Sequence, residues 1–182
     1  MIKINLKFFI FVALCCLFFS ACVKDTDFDQ ADDIVLSPVV ELDLIYFNLR
    51  ASDFVDTVTG NPRLTVTDTT EIEFLDGSFL QENLARAEFY FKFTNSIPRS
   101  FEVDFQFLSE ANDTTYTTQT VVNEGSVSSP VITEFIENVE GEQILQLTSA
   151  DKVVVSVTVP SSTVNVSGEL NLKSKTTYFL EY

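Results

Sequence analysis

From Ala85 to Leu108 apolar and polar side chains alternate with a period of two, which suits a half-buried β-strand and excludes an amphipathic helix. Ala85, Ala87, Phe89, Phe91 and Phe93 fall on one side, and Arg86, Glu88, Tyr90, Lys92 and Thr94 on the other. After the turn-rich Asn95-Ser96-Ile97-Pro98, the pattern resumes with Phe101, Val103, Phe105 and Phe107 against Glu102, Asp104 and Gln106. The expectation is a β-hairpin whose two strands share one aromatic face. Each large apolar side chain contributes about 1.5–3 kcal/mol on burial, so this stretch belongs at the centre of a core.

Shorter segments of the same kind surround it. Pro38 opens the ordered part, where Val40, Leu42, Leu44 and Tyr46 alternate with Glu41, Asp43, Ile45 and Phe47. The second half of that strand is apolar on both sides and is expected to be covered on both. Arg50 to Pro62 reads as a loop, Leu64 to Phe74 as one interrupted strand or two short ones, and Asp76-Gly77 as a turn. Ser78 to Asn83 suits a helical turn in which Leu80 and Leu84 share a face. Asn112-Asp113 marks a turn, and the Thr-rich Tyr116 to Val122 an exposed strand. Val131 to Glu137 is a further strand, while Asn138 to Ala150, with Gly141 inside it, supports only one or two helical turns. Val153, Val155, Val157 and Val159 line the next strand, which Pro160 stops. Ser161 to Gly168 is a loop, and Leu170, Leu172, Tyr178, Leu180 and Tyr182 complete the sheet as its edge. About eight strands and a short helical turn near 139–149 predict an all-β fold over 38–182. It is expected to be a single antiparallel β-sandwich, immunoglobulin-like or fibronectin-like, with a closed barrel as runner-up.

The N-terminus differs in kind. Lys3 and Lys7 precede the apolar run from Phe8 to Phe19, and Ser20-Ala21 lead to Cys22. A basic start, a short apolar core and a small-residue exit read as a secretory signal over 1–21; the run falls short of the roughly 20 residues that span a bilayer. The exit Phe19-Ser20-Ala21-Cys22 resembles the lipobox of bacterial lipoproteins, with Phe19 where Leu is more common. That resemblance implies cleavage before Cys22 and lipidation of Cys22, and two or more acyl chains anchor stably. Lys24-Asp25, followed by further acids, resembles the short signal that exports lipoproteins of the Bacteroidota to the outer face of the outer membrane. Residues 22–37 then form the lipidated Cys and an acidic tether, at most about 50 Å long when extended. Asp25, Asp27 and Asp29 begin like a calcium loop, but Gln30 stands where Gly is needed and Leu36 where a bidentate Glu is needed, so no metal is expected.

The whole chain carries a net charge of −16, from 11 basic and 27 acidic residues. Lys3 and Lys7 are the only charged residues of 1–21, so the chain beyond Ala21 is more acidic still. Nucleic acid is excluded as a partner, because its affinity rests on Lys and Arg neutralising phosphates. Adhesion to anionic lipid by charge is disfavoured for the same reason, which leaves the lipid anchor as the contact with the membrane.

Chemistry is restricted too. The chain has no His, and its three Cys all lie within the first 22 residues, so Ser-His-Asp and Cys-His arrangements are ruled out. Zinc and copper sites lose their commonest ligands, and the isolated glycines form no phosphate loop. The pairs Glu41/Asp43, Glu71/Glu73 and Glu102/Asp104 alternate with apolar residues and read as the wet sides of strands. Neither catalysis nor a cofactor is expected. Tyr90, opposite the Phe face, is the aromatic expected to face a partner. Asp56-Thr57-Val58, Asp68-Thr69-Thr70 and Asp113-Thr114-Thr115 resemble O-glycosylation sites of exported Bacteroidota proteins, which makes Thr57, Thr69 and Thr114 possible acceptors. The expected function is that of a non-catalytic, lipid-anchored lipoprotein of the outer membrane, at the cell surface or otherwise on the periplasmic face. It would act as a binding module for an envelope protein; the alternative is a carbohydrate-binding accessory lipoprotein.

Overall fold

The alternating segments become eight strands: β1 (Val39–Arg50), β2 (Thr65–Glu71), β3 (Leu84–Asn95), β4 (Phe101–Leu108), β5 (Thr114–Val122), β6 (Val131–Glu140), β7 (Lys152–Thr158) and β8 (Glu169–Leu180). Of the expected Leu64 to Phe74 segment, the described part up to Ile72 holds one strand, and the rest lies outside the described residues. Among the described residues, helical structure consists of a 3-10 turn at Ala51–Phe54, inside the expected loop, and two short helices, α1 (Ser78–Asn83) and α2 (Glu142–Leu147). Leu80 of α1 and the following Leu84 are both buried, and Gly141 caps α2 with a positive φ. The computed structural model describes residues 35–72, 78–160 and 166–182. The signal, Cys22, Lys24 and Asp25, the Asp76-Gly77 turn and part of the Ser161 to Gly168 loop lie outside the described residues. Among those described, no helix is long and apolar enough to cross a membrane.

Two four-stranded sheets result, in the orders β1-β8-β3-β6 and β2-β7-β4-β5, with every ladder antiparallel. The single antiparallel sandwich and its short helix near 139–149 are both present, as two separate sheets and not as one closed barrel. Of consecutive strands only β4 and β5 pair with each other; every other connection passes from one sheet to the other. An immunoglobulin sandwich instead keeps its first two strands together in one sheet. The order here is that of a jelly roll, eight strands in two sheets.

This order changes the meaning of the central stretch. β3 and β4 are not hydrogen-bonded neighbours: β3 lies between β8 and β6, and β4 between β7 and β5. The segment is an arch, and its two aromatic faces look at each other across the core. Phe91 meets Phe105 with ring centroids 4.2 Å apart, and Phe89 meets Phe107 at 5.3 Å. The bend is held by Asn95, fully buried, whose Nδ2 donates to the carbonyls of Arg99 and Asn123, each at 2.8 Å, while its Oδ1 accepts from the Ile97 amide. Ile97 plugs the end of the core. Gly168 packs against the same bend so closely that a Cβ would run into the Ser96 carbonyl.

Two further expectations are corrected. β8, at the C-terminus, is not an edge but sits between β1 and β3. The second half of β1 is apolar on both sides because of a β-bulge, not because both sides are covered. The β1–β8 register shifts between Asp43 and Tyr46, so Leu44 and Ile45 both turn inward and the parity reverses after them. Ile45 is buried, Phe47 and Leu49 pack on the core, and Tyr46 is thrown outward. The buried hydroxyl of Ser174 satisfies the bulged residue, accepting from the Ile45 amide at 3.0 Å and donating to its carbonyl at 2.6 Å.

Candidate functional site

Because inward residues are spent on the core, anything available for recognition lies on the outer faces, edges and loops. The outer face of the β1-β8-β3-β6 sheet carries alternate residues of four strands, and the ladder registers set them in rows. One row runs Tyr46, Lys173, Lys92, Glu134; the next runs Asp43, Lys175, Tyr90, Ile136; on the other flank lie Asn48, Asn171 and Thr94. Tyr46 is 82% exposed, the most open aromatic side chain among the described residues.

Most charges on this face are paired. Lys175 Nζ lies 2.6 Å from Glu41, Arg50 lies 3.5 Å from Glu169, and Lys92 lies 3.7 Å from Glu134. Arg86 bonds Glu88 and sits over the Phe179 ring at 3.7 Å. Exposed pairs of this sort contribute at most about 1 kcal/mol each, so the fold does not depend on them. Lys173 has no ion-pair partner among the described residues. Where the bulge parts β1 from β8, a groove of about 350 Å3 opens, bordered by Asp43, Tyr46, Asn171 and Lys173.

The opposite outer face is different. β2, β7, β4 and β5 present Thr65, Thr67, Thr69, Ser156, Thr158, Gln106, Thr117 and Gln119, with Glu71, Glu102, Asp104 and Lys152 as the charges, Val121 exposed and no ring. Thr65 and Thr158 hydroxyls bond across the ladder at 3.0 Å. Glu102 and Asp104 lie on this face and Glu41 and Asp43 on the other, so neither pair enters an enclosed cleft; Glu73 lies outside the described residues. Between the sheets, Tyr116 of β5 donates to Glu137 of β6, which also accepts from Thr118 at 3.0 Å and so ties one margin of the sandwich shut. Burial, then this bond, raises the Tyr116 pKa well above its ordinary value.

Tyr90 stands on the outer face, half-buried, and donates to Glu134 at 2.7 Å. That bond, followed by desolvation, raises its pKa. Thr57, Thr69 and Thr114 are all exposed: Thr57 in a turn, Thr69 on the edge strand β2 and Thr114 at the start of β5. The turn at Thr57 is formed by Asp56, whose carboxylate accepts from the Val58 and Thr59 amides at 2.9 and 2.8 Å. Those bonds lower its pKa. Sequence reasoning singled out Tyr90 and neither Tyr46 nor Lys173. The signal was present in Leu44-Ile45, two apolar neighbours that break the alternation just before Tyr46.

No family model and no curated protein matches this chain. Among solved structures it is similar to a protein of Parabacteroides distasonis described as secreted, at 13% identity and a TM-score of 0.45, covering 63% of this chain and 37% of that one. It is also similar to a structure of the infectious bursal disease virus Gx strain, at 8% identity and a TM-score of 0.43, covering 81% and 32%. A third is the enzymatically active domain of bacteriophage CBA120 tailspike protein 4, at 11% and 0.39, covering 76% and 19%. The chain thus spans well under half the length of each, and the jelly-roll assignment rests on its own strand order.

Proposed function

We propose that this chain is a non-catalytic lipoprotein, anchored at the outer membrane through Cys22 and exposed at the cell surface, that acts as a binding module through the outer face of the β1-β8-β3-β6 sheet. One observation carries the reading: this face sets Tyr46, Ile132 and Ile136 in the open, at 82%, 56% and 53% exposure, whereas the opposite face, mainly Thr, Ser and Gln, shows no ring and only Val121, at 57%, as an apolar side chain of like exposure among the described residues. The partner is an envelope protein. Ile132 and Ile136 project from β6, an edge strand with one side of its ladder unpaired, and such an edge supports strand addition or side-on docking. The second reading, accessory carbohydrate binding, is favoured by the isolated Tyr46 ring beside Lys173.

A photo-crosslinking residue at Ile136, used in the native host, is expected to yield a discrete protein adduct, and one at Gln106 on the opposite face none. No adduct at Ile136, or equal adducts at both positions, removes the protein partner. Anchoring is tested separately: Cys22→Ala releases the protein from the membrane fraction, and retention at wild-type level refutes the anchor. Protease shaving of intact cells is expected to remove the protein while a periplasmic marker survives.

A further inference from the structure

We infer that the Tyr46–Lys173–Lys92 row is a subsite for an acidic glycan, one sugar ring stacking on Tyr46 and its carboxylate lying between the two ammonium groups. The inference rests on the carbohydrate reading and specifies its ligand. Its first ground is the bulge. Continued alternation from Val40, Leu42 and Leu44 would bury the ring at position 46; the extra inward residue Ile45, held at both backbone groups by Ser174, turns Tyr46 out instead. Bulges recur beside functional sites because they re-aim a side chain in this way. An exposed ring with an apolar face and a polar tip suits the alternating C–H and O–H surfaces of a pyranose.

The second ground is charge. In a chain with 27 acidic residues, Lys173 still lacks a carboxylate partner among the described residues, and it stands directly opposite Lys92 on the neighbouring strand. Like charges so placed repel, and Glu134, 3.7 Å from Lys92, is the one carboxylate in ion-pair contact with the two. A ligand carboxylate between them relieves the repulsion. Across the bulge Asp43 faces Lys175 and repels an anion, which directs the carboxylate toward Lys173.

The third ground is the polar surround. Asn48 and Asn171 occupy the adjoining row; their amide nitrogens donate to Glu169 at 3.4 Å and to the Phe47 carbonyl at 3.2 Å, which leaves their side-chain oxygens to accept from sugar hydroxyls. The groove of about 350 Å3 is large enough for one or two sugar rings.

The test is calorimetric titration of the full-length protein, purified in detergent, with oligogalacturonate and with its methyl ester, which keeps the rings and removes the charge. Oligogalacturonate is expected to bind, and the ester to bind about tenfold more weakly. Lys173→Gln is expected to erase the difference between acid and ester, and Tyr46→Ala to weaken both roughly fivefold to tenfold. Gln106→Ala, on the far face, leaves both unchanged. Absence of binding, or equal affinity of the wild-type protein for acid and ester, overturns the inference. Equal affinity leaves the carbohydrate reading standing without its acidic specificity. Adducts at Ile136 together with no binding of either sugar leave the protein-binding reading standing alone.

Discussion

The two sheets of this sandwich have equal numbers of strands and share one core, yet their outer faces have little in common. The β2-β7-β4-β5 sheet has its register shift only at the end of the β4–β5 ladder, and it shows water Thr, Ser and Gln with Glu71, Glu102, Asp104 and Lys152 among them and no ring. The β1-β8-β3-β6 sheet is interrupted by a bulge, carries paired and unpaired charges, and exposes a tyrosine and two isoleucines. Each sheet turns an apolar inner face to the one shared core. The difference teaches that a bulge in one strand can leave a ring in water and two lysines side by side on the outer face while the shared core stays intact.

The largest expected effect is on what the sheets share. Phe91 is fully buried and touches both Phe105 of the opposite sheet and Phe135 of its own. Phe91→Ala is expected to cost about 3–5 kcal/mol, measured by urea unfolding. A loss below about 1 kcal/mol would break the picture of a common core.

Each sheet also buries one tyrosine, and alkali separates them. Burial pushes Tyr178 of β8 up to about 12 from its ordinary 10. Above pH 10 the unfolded chain gives up that proton while the folded chain keeps it, so stability is full below about pH 10 and falls on the way to pH 12. Two units correspond to about 2–3 kcal/mol, and Tyr178→Phe is expected to flatten that part of the decline. Tyr116→Phe acts on the other sheet through a different contact, the bond to Glu137. An identical alkaline profile for wild type and Tyr178→Phe would refute the assignment.

A smaller effect is expected at the bulge. Ser174→Ala leaves the Ile45 amide and carbonyl without their partner, at about 1 kcal/mol. Ser174→Thr restores the hydroxyl and should recover most of the loss; if it does not, packing and not the hydroxyl holds the bulge.

The smallest effect is on the faces themselves. Tyr46→Ala and Thr67→Ala are each expected to change stability by no more than about 0.5 kcal/mol. Only Tyr46→Ala is expected to alter ligand binding. A large stability loss at Tyr46 would make that ring structural and erase the contrast between the faces.

Much of the core was legible before any fold was known. Phe89, Phe91, Phe93, Phe101, Phe105 and Phe107, and Val153, Val155, Val157 and Val159, all lie inside as their period of two requires. Tyr90 stands outside for the same reason, and Thr57, Thr69 and Thr114 are exposed as turn and edge residues. What was not legible was the arrangement of β3 and β4. A hairpin places Phe89 and Phe107 side by side on one face, an arch places them opposite each other, and either buries the same rings. The position of β8 escaped for a related reason, since its alternating polar residues suit a wet outer face whether the strand is central or at an edge.

By itself, then, the amino-acid sequence determined the fold class, the inner and outer side of nearly every strand, and a folded part devoid of His and Cys. These come from local rules: side chains alternate along a strand, and apolar ones leave water. Only the tertiary structure decided which strands are neighbours, and with that the jelly-roll order, the arch at Asn95 and the meeting of Tyr46, Lys173 and Lys92 from three strands. Ladder hydrogen bonds are made by the backbone and are chemically alike between any two strands. Partner choice is therefore set by the packing of the whole core and by a few buried polar groups, Asn95 and Ser174 among them.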